Sequence, residues 1–361
     1  MFGLIRYFSW AAAAACSVNV FAHIYFLRFF EKRKWMGIAS GILFAAVNLF
    51  FMRRTFSTAW MAGLNVSLVL IAADLFGCVL RIFGKDNRVF KKFLFLKKRG
   101  CAFLIALIYV LYGLVNIHVV RETEYRFSHP NVKEELTVAL ISDAHLGNTA
   151  DAEKLVSVMK KTLEKGADLI VLAGDIFDES TPEEEYDKLF MLLSDVRAPK
   201  GIYYVFGNHD ASRRGRFDAL EMEKAFTRAG VTVLTDESVL LDGWLRIIGR
   251  KEAGGSRASA EALFEGADTQ NEYVMVIDHR PADTMEVSRA GADLMLSGHT
   301  HNGQIFPVNL ISVLFDINEI EYGHERVGET DCVVSSGVSG WNCAFRTAGR
   351  SEYVMISLSG K

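Results

Sequence analysis

Apolar residues are spread so unevenly along this chain that no single water-soluble globule accommodates them. Four stretches, roughly Tyr7 to Leu27, Trp35 to Met52, Ser57 to Leu80 and Cys101 to Val120, are nearly pure hydrocarbon. Each approaches the length a helix needs to cross the ~30 Å apolar layer of a bilayer, the second being the shortest. The charges divide at the same place. Residues 1–122 carry 16 Lys and Arg against 4 Asp and Glu, and the remainder carries 24 against 39, so the net −3 splits into +12 and −15. Two halves of opposite sign ask for two environments. The expectation is a four-helix transmembrane anchor over residues 1–122 and a soluble domain over 123–361. The acidic sign of that domain disfavours nucleic acid as a partner, because a phosphate backbone rewards Lys and Arg.

The first stretch reads as a span rather than a cleaved signal, because the apolar pattern resumes three times and no clear small-x-small site leads into a polar chain. Twelve basic residues lie between helices one and two (Arg28, Lys32, Arg33, Lys34) and between helices three and four (Arg81 to Arg99). Only Arg6, Arg53, Arg54 and Arg121 lie on the other side. Basic loops stay in the cytoplasm. With an even number of spans, the acidic half then faces outward. Asn87 to Lys98 interleaves basic and aromatic residues and reads either as an interfacial helix on anionic lipid or as a solvated loop. Cys332 and Cys343, if outside the cell, are either bridged or free.

Beyond a polar linker at roughly Arg121 to Glu135, short apolar runs alternate with amphipathic stretches. Leu136 to Ile141, Leu169 to Ala173 and Ile202 to Phe206 read as buried strands, with helices near Ala152 to Leu163, Pro182 to Leu193 and Phe217 to Arg228. Further strands are expected near Val231, Leu245, Tyr273 to Ile277, Leu294 to Ser297, Cys332 to Ser335 and Tyr353 to Leu358. Alternation of this kind predicts an α/β layered fold.

The polar residues that carry chemistry sit where those strands stop. "ISDAHLG" follows the first strand, "AGDIFD" the second and "FGNHD" the third; "IDHRP" follows Tyr273 to Ile277, and "SGHTH" follows Leu294 to Ser297. Any one of these reads as an ordinary turn, since Asp, Asn and Gly are common there. Five strand ends that all present Asp, Asn or His to one edge form a ligand crevice instead. Carboxylates, imidazoles and one amide without a thiolate suit hard or borderline divalent metals such as Mn, Fe or Zn. The number of donors suffices for two ions that share a carboxylate, lower the pKa of a shared water and clamp an in-line displacement at phosphorus.

The ordered blocks DxH, GDxxD, GNHD, H and GHxH resemble the calcineurin-like metallophosphoesterase superfamily over about residues 136–358, and the anchor with its "HRP" block resembles a bacterial membrane-associated branch. The resemblance implies an αββα sandwich with two mixed sheets. It implies a first metal held by Asp143, His145 and His301, and a second held by Asn208, His279 and His299, with Asp175 bridging. It gives His209 to the phosphate and the leaving oxygen, Asp210 to the orientation of that imidazole, and Asp178 to the last acid of GDxxD. Two departures stand out. Asn302 occupies a position that is often glycine in similar sequences, and "GDIFDES" lacks the "RG" of the protein Ser/Thr phosphatases, which argues against a phosphoprotein substrate. Arg346 followed by Ser351 and Glu352 is similar to a family pattern of an arginine ahead of a Pro-Glu pair.

The reading is therefore a membrane-anchored hydrolase of a phosphodiester or pyrophosphate in an envelope or lipid-linked substrate. A hydroxide shared by two ions would attack phosphorus directly. The alternatives are a phosphomonoesterase and a membrane sensor that binds a phosphorylated ligand without turnover. Ile305 to Ile317 is a long apolar run directly after His299 and His301. It is either buried core or a cover on the domain, or else a loop or helix that lies against lipid or accepts an acyl chain.

Overall fold

A computed structural model of the protein describes residues 17–22, 34–51, 57–83, 99–210, 217–253 and 257–361. The chain divides into two compact units, Met1–Val115 and Asn116–Lys361.

In the first unit residues 17–22 are helical, followed by α1 (Lys34–Phe51), α2 (Thr58–Phe83) and α3 (Arg99–Asn116). Among the described residues one helix, over Thr58–Phe76, is long and apolar enough to cross a membrane, and Cys101–Asn116 is a shorter apolar helix. This corrects the four-helix anchor. The fourth stretch stops at Asn116 because the chain turns there and enters a strand at Val120, which leaves the apolar helix about 24 Å long at 1.5 Å per residue. The orientation read from the basic loops assumed an even number of spans, which a single candidate does not supply. Most of Tyr7 to Leu27, and all of Asn87 to Lys98, lie outside the described residues.

The second unit holds two mixed six-stranded sheets. One runs β1 (Val120–Ser128), β12 (Ser351–Ser359), β2 (Leu136–Ile141), β3 (Leu169–Ala173), β4 (Ile202–Val205) and β5 (Thr232–Val233) in spatial order. The other runs β10 (Gly323–Val327), β11 (Thr330–Val334), β9 (Leu294–Ser297), β8 (Tyr273–Ile277), β7 (Leu245–Gly249) and β6 (Glu237–Leu241). The central pairs β2–β3–β4 and β7–β8–β9 are parallel. Their strands are buried on both faces, so their sequences are apolar without alternation.

Period-two geometry sorts those side chains into layers. Val138, Leu140, Val171, Ile247, Met275 and Leu296 share a core between the sheets. Ala139, Ile141, Ile170 and Tyr204 face α4 (Ala152–Glu164), α5 (Glu183–Leu193) and α6 (Ala219–Arg228) through Leu155, Met159, Leu189 and Phe226. Val274, Val276 and Met295 face α7 (Ala260–Leu263) and α8 (Thr284–Ala290). Helix, sheet, sheet, helix is the resulting order. The supposed linker at Arg121 to Glu135 is mostly β1, paired in parallel with β12 from Val120 against Ser351 to Ser128 against Ser359.

Candidate metal centre

The carboxyl ends of β2, β3 and β4 in one sheet, and of β8 and β9 in the other, bring the five polar blocks to a common place. Backbone hydrogen bonds carry the strand pairing on into the loops. Asp143 N donates to Gly174 O at 3.0 Å, His145 N to Asp175 O at 3.1 Å, and Gly298 N to His279 O at 3.0 Å. The loops are held tightly enough to impose unfavourable backbone. Asp143, His145, Asp175, His299 and His301 all have φ between 41° and 72°, the left-handed region that residues with a Cβ avoid. Strain of this kind persists where surrounding structure fixes a functional geometry.

The side chains form two groups, Asp143 with His145 and His301, and Asp175 with His279 and His299; within each, the ligand atoms lie within 4.8 Å of one another. Asp175 stands between the groups, its Oδ2 3.2 Å from His279 Nε2 and 3.7 Å from His145 Nε2. Asn208 joins the second group, with Oδ1 3.2 Å from His279 Nε2. His145 Nε2 and His301 Nε2 face each other at 3.2 Å. Two imidazole lone pairs directed at one point repel unless a cation or a proton lies between them. His279 Nδ1 donates to Ala173 O at 2.8 Å, which turns Nε2 toward the centre, as the outer hydrogen bond of a metal-bound imidazole does. His145 Nδ1 is 3.6 Å from Asp178 Oδ2, too long for a hydrogen bond.

Electrostatics supports a cation at the same spot. Burial raises the pKa of Asp143, while Asp175 is held ionised against its own burial by His279, His145 and His209. The paired carboxylates ask for positive charge. They overcome the burial of His279 and lift it to about 10, so that this ring takes a proton where an ion would serve better. His299, pushed down to about 3 by burial and by His279, stays neutral, as does His301, lowered by burial and by His145. Neutral imidazoles keep a lone pair free for a metal. Space agrees with this assignment. A Cβ on Gly207 would fall on Asp175 Oδ1, and one on Gly298 on Asp143 Oδ2. The donor set therefore fits two divalent ions.

The residues around the centre depart from the resemblance in one respect. Asp210 does not reach the His209 imidazole. It is buried and accepts backbone N–H groups from Phe177 at 2.8 Å and Gly207 at 3.0 Å, and it is raised to about 6 by burial and Asp175. The short sequence step that invites the pairing turns the two side chains apart, because His209 N is tied to Asp175 Oδ1 at 2.8 Å. The His209 ring meets Glu179 instead, Nδ1 to Oε2 at 3.0 Å, with Trp341 at a ring distance of 5.6 Å. Neither partner carries a motif signal. Arg346 was legible only by resemblance. It is fully buried and donates to the carbonyls of His301, Ser336, Ser339 and Arg350 at 2.7 to 3.1 Å. Asn302 accounts for its own departure, since its φ of 50° and ψ of 42° are left-handed and asparagine tolerates them best after glycine.

Residues 136–303 match the family model described as calcineurin-like phosphoesterase. Over those residues the chain carries a calcineurin-like phosphoesterase domain. An uncharacterized metallophosphoesterase of Campylobacter jejuni is 25% identical over 299 residues, 81% of this chain and 77% of its own length. A zebrafish protein named transmembrane protein with metallophosphoesterase domain is 28% identical over 276 residues, 71% of this chain and 62% of its own length. The crystal structure of a dimetal phosphatase from zebrafish aligns with 56% of this chain and 87% of its own at TM-score 0.39 and 11% identity. Family and donor geometry together support metal-dependent phosphoester hydrolysis by this phosphoesterase domain.

Proposed function

We propose that this chain is a membrane-anchored hydrolase of a phosphodiester or pyrophosphate bond, acting on a lipid-linked or envelope substrate with two Mn, Fe or Zn ions. The observation that carries the chemistry is the position of Asp175, within 3.7 Å of both His145 and His279 and so between two donor triads. Asp143, His145 and His301 would hold one ion, and Asn208, His279 and His299 the other. The bound pair would supply Lewis acidity toward the phosphoryl oxygens and a water of lowered pKa. His209, seated between Glu179 and Trp341, is placed to bind phosphate and to return a proton to the departing oxygen.

The membrane assignment has its own support. Among the described residues of the first unit, Asn65 and Ser67 are fully buried while Leu43, Leu75, Ile108 and Val115 are exposed. Ser67 donates to Asn19 Oδ1 at 3.2 Å. Polar residues inside and apolar residues outside is how helices pack in lipid.

The test is hydrolysis of bis-p-nitrophenyl phosphate against p-nitrophenyl phosphate by the purified full chain with added Mn. Diester turnover should dominate, and both Asp175→Ala and His209→Ala should lose it by about 100-fold or more. Monoester preference would make the chain a phosphomonoesterase. Two bound metals without turnover of either compound would make it a sensor.

A further inference from the structure

Immediately past the donors His299 and His301, α9 (Val308–Leu314) is built inside out. Its polar residues face the protein. Ser312 is buried and hydrogen-bonds Glu321, Asn318 Nδ2 donates to both Ser312 Oγ at 3.2 Å and Glu321 Oε2 at 2.8 Å, and Asn309 packs where Gly303 has no room for a Cβ. The apolar residues face out. Phe306, Leu310, Val313, Leu314, Phe315 and Ile317 are all exposed, Leu314 by 74% and Phe315 by 69%. Scattered exposed leucines need no explanation, but a contiguous apolar patch beside a functional site does. Beyond the buried Ile305, the apolar side chains of the run are therefore not core.

The patch is joined to the centre. Gln304, between His301 and α9, donates to Cys343 O and Phe345 O at 3.1 Å and accepts from Trp341 N at 2.8 Å. Phe306 N donates to Thr347 Oγ1 at 3.0 Å. Hydrogen bonds thus tie the loop that leads into α9 to the loop that carries Trp341, which meets His209.

We propose that α9 docks into the surface of the bilayer that holds the chain's apolar helices, so that the centre opens at the lipid face and takes phosphoesters whose apolar part stays in the membrane. This rests on the membrane-anchored phosphoesterase reading above and names its substrate class. The same inversion, Asn65 and Ser67 inward with leucines outward, marks the first unit as suited to lipid, and only residues 117–119 separate α3 from β1. A short amphipathic element flanked by Phe306 and Phe315 is the form that settles ~5–10 Å into the headgroup boundary.

The experiment reconstitutes full-length chain in phosphatidylcholine vesicles with an environment-sensitive fluorophore on Leu314→Cys, and on Met191→Cys, exposed on α5, as the control. Parent chain labelled alongside gives the background from native thiols. The label at 314 should shift to the blue and lose most of its intensity when the vesicles contain brominated acyl chains, and the label at 191 should not. A 314 label quenched by aqueous iodide and not by brominated lipid overturns the proposal. So does equal quenching at both positions, or shielding that grows with protein concentration, the mark of a second copy. Hydrolysis of bis-p-nitrophenyl phosphate by the same samples separates the two claims. Turnover without lipid quenching removes only the docking, and lipid quenching without turnover removes only the hydrolase reading. Leu314→Glu with Phe315→Glu, followed from a label at Leu310→Cys, should abolish the quenching and leave turnover of the soluble diester unchanged.

Discussion

Asp143, His145, Asp175, His299 and His301 are held at positive φ by loops whose own hydrogen bonds continue the sheets. Such backbone costs of order 1–3 kcal/mol per residue, so the packing around it has to be unforgiving. Gly207 is where that rigidity is most exposed to test, because Asp175 Oδ1 occupies the place of a Cβ. Gly207→Ala is expected to cost about 1–3 kcal/mol by overpacking and to displace Asp175, with metal content measured by elemental analysis falling well below two per chain. Cys332 and Cys343 bring a second expectation. Both are free and buried, and burial lifts their thiols from 9.0 to about 12 and about 11. A thiol-specific reagent at pH 8 should modify neither until the domain unfolds. Above pH 9 the unfolded chain releases protons that the folded chain keeps, so stability should fall as pH rises from about 9 through 11 to 12.

Elements differ in how plainly they were written. β2, β3 and β8 are apolar on both faces, and their limits could be read to the residue. The blocks at their ends could be read too, because Asp, His and Asn in that spacing have few other uses. β1 could not. Arg121, Glu124 and Arg126 belong to an edge strand with one face in water, and that alternation looks like a linker until the partner β12 supplies nine paired positions. Glu179 and Trp341 were silent for another reason. They meet His209 through tertiary contact across 30 and 132 residues, and each alone is an ordinary acid or aromatic. The β1 assignment makes a direct prediction. Backbone amides of residues 120–128 that bond to β12 should be protected from hydrogen exchange about as well as those of β12, by mass spectrometry of the intact chain, where a linker would exchange within seconds.

At the scale of the whole molecule, the acidic half gathers two carboxylates and four imidazoles into a centre whose carboxylates, without an ion, draw protons onto His279 and His145. Folding that half therefore draws on the metals. An ion present at 100 times its Kd adds about 2.7 kcal/mol of stability, so two ions would contribute about 5 kcal/mol, and removing them from a domain of this size should lower Tm by roughly 10 °C or more. Calorimetry of the full chain with and without chelator reads that shift, and restoring Mn, Fe or Zn should reverse it. Asp175→Ala separates a specific centre from diffuse acidity. Its unfolding should barely respond to chelator, because the carboxylate between the two triads is gone while the other 42 Asp and Glu of the chain remain. A variant that loses as much stability to chelator as the parent would place the ions elsewhere on the acidic surface, and Asp175 would no longer bridge them.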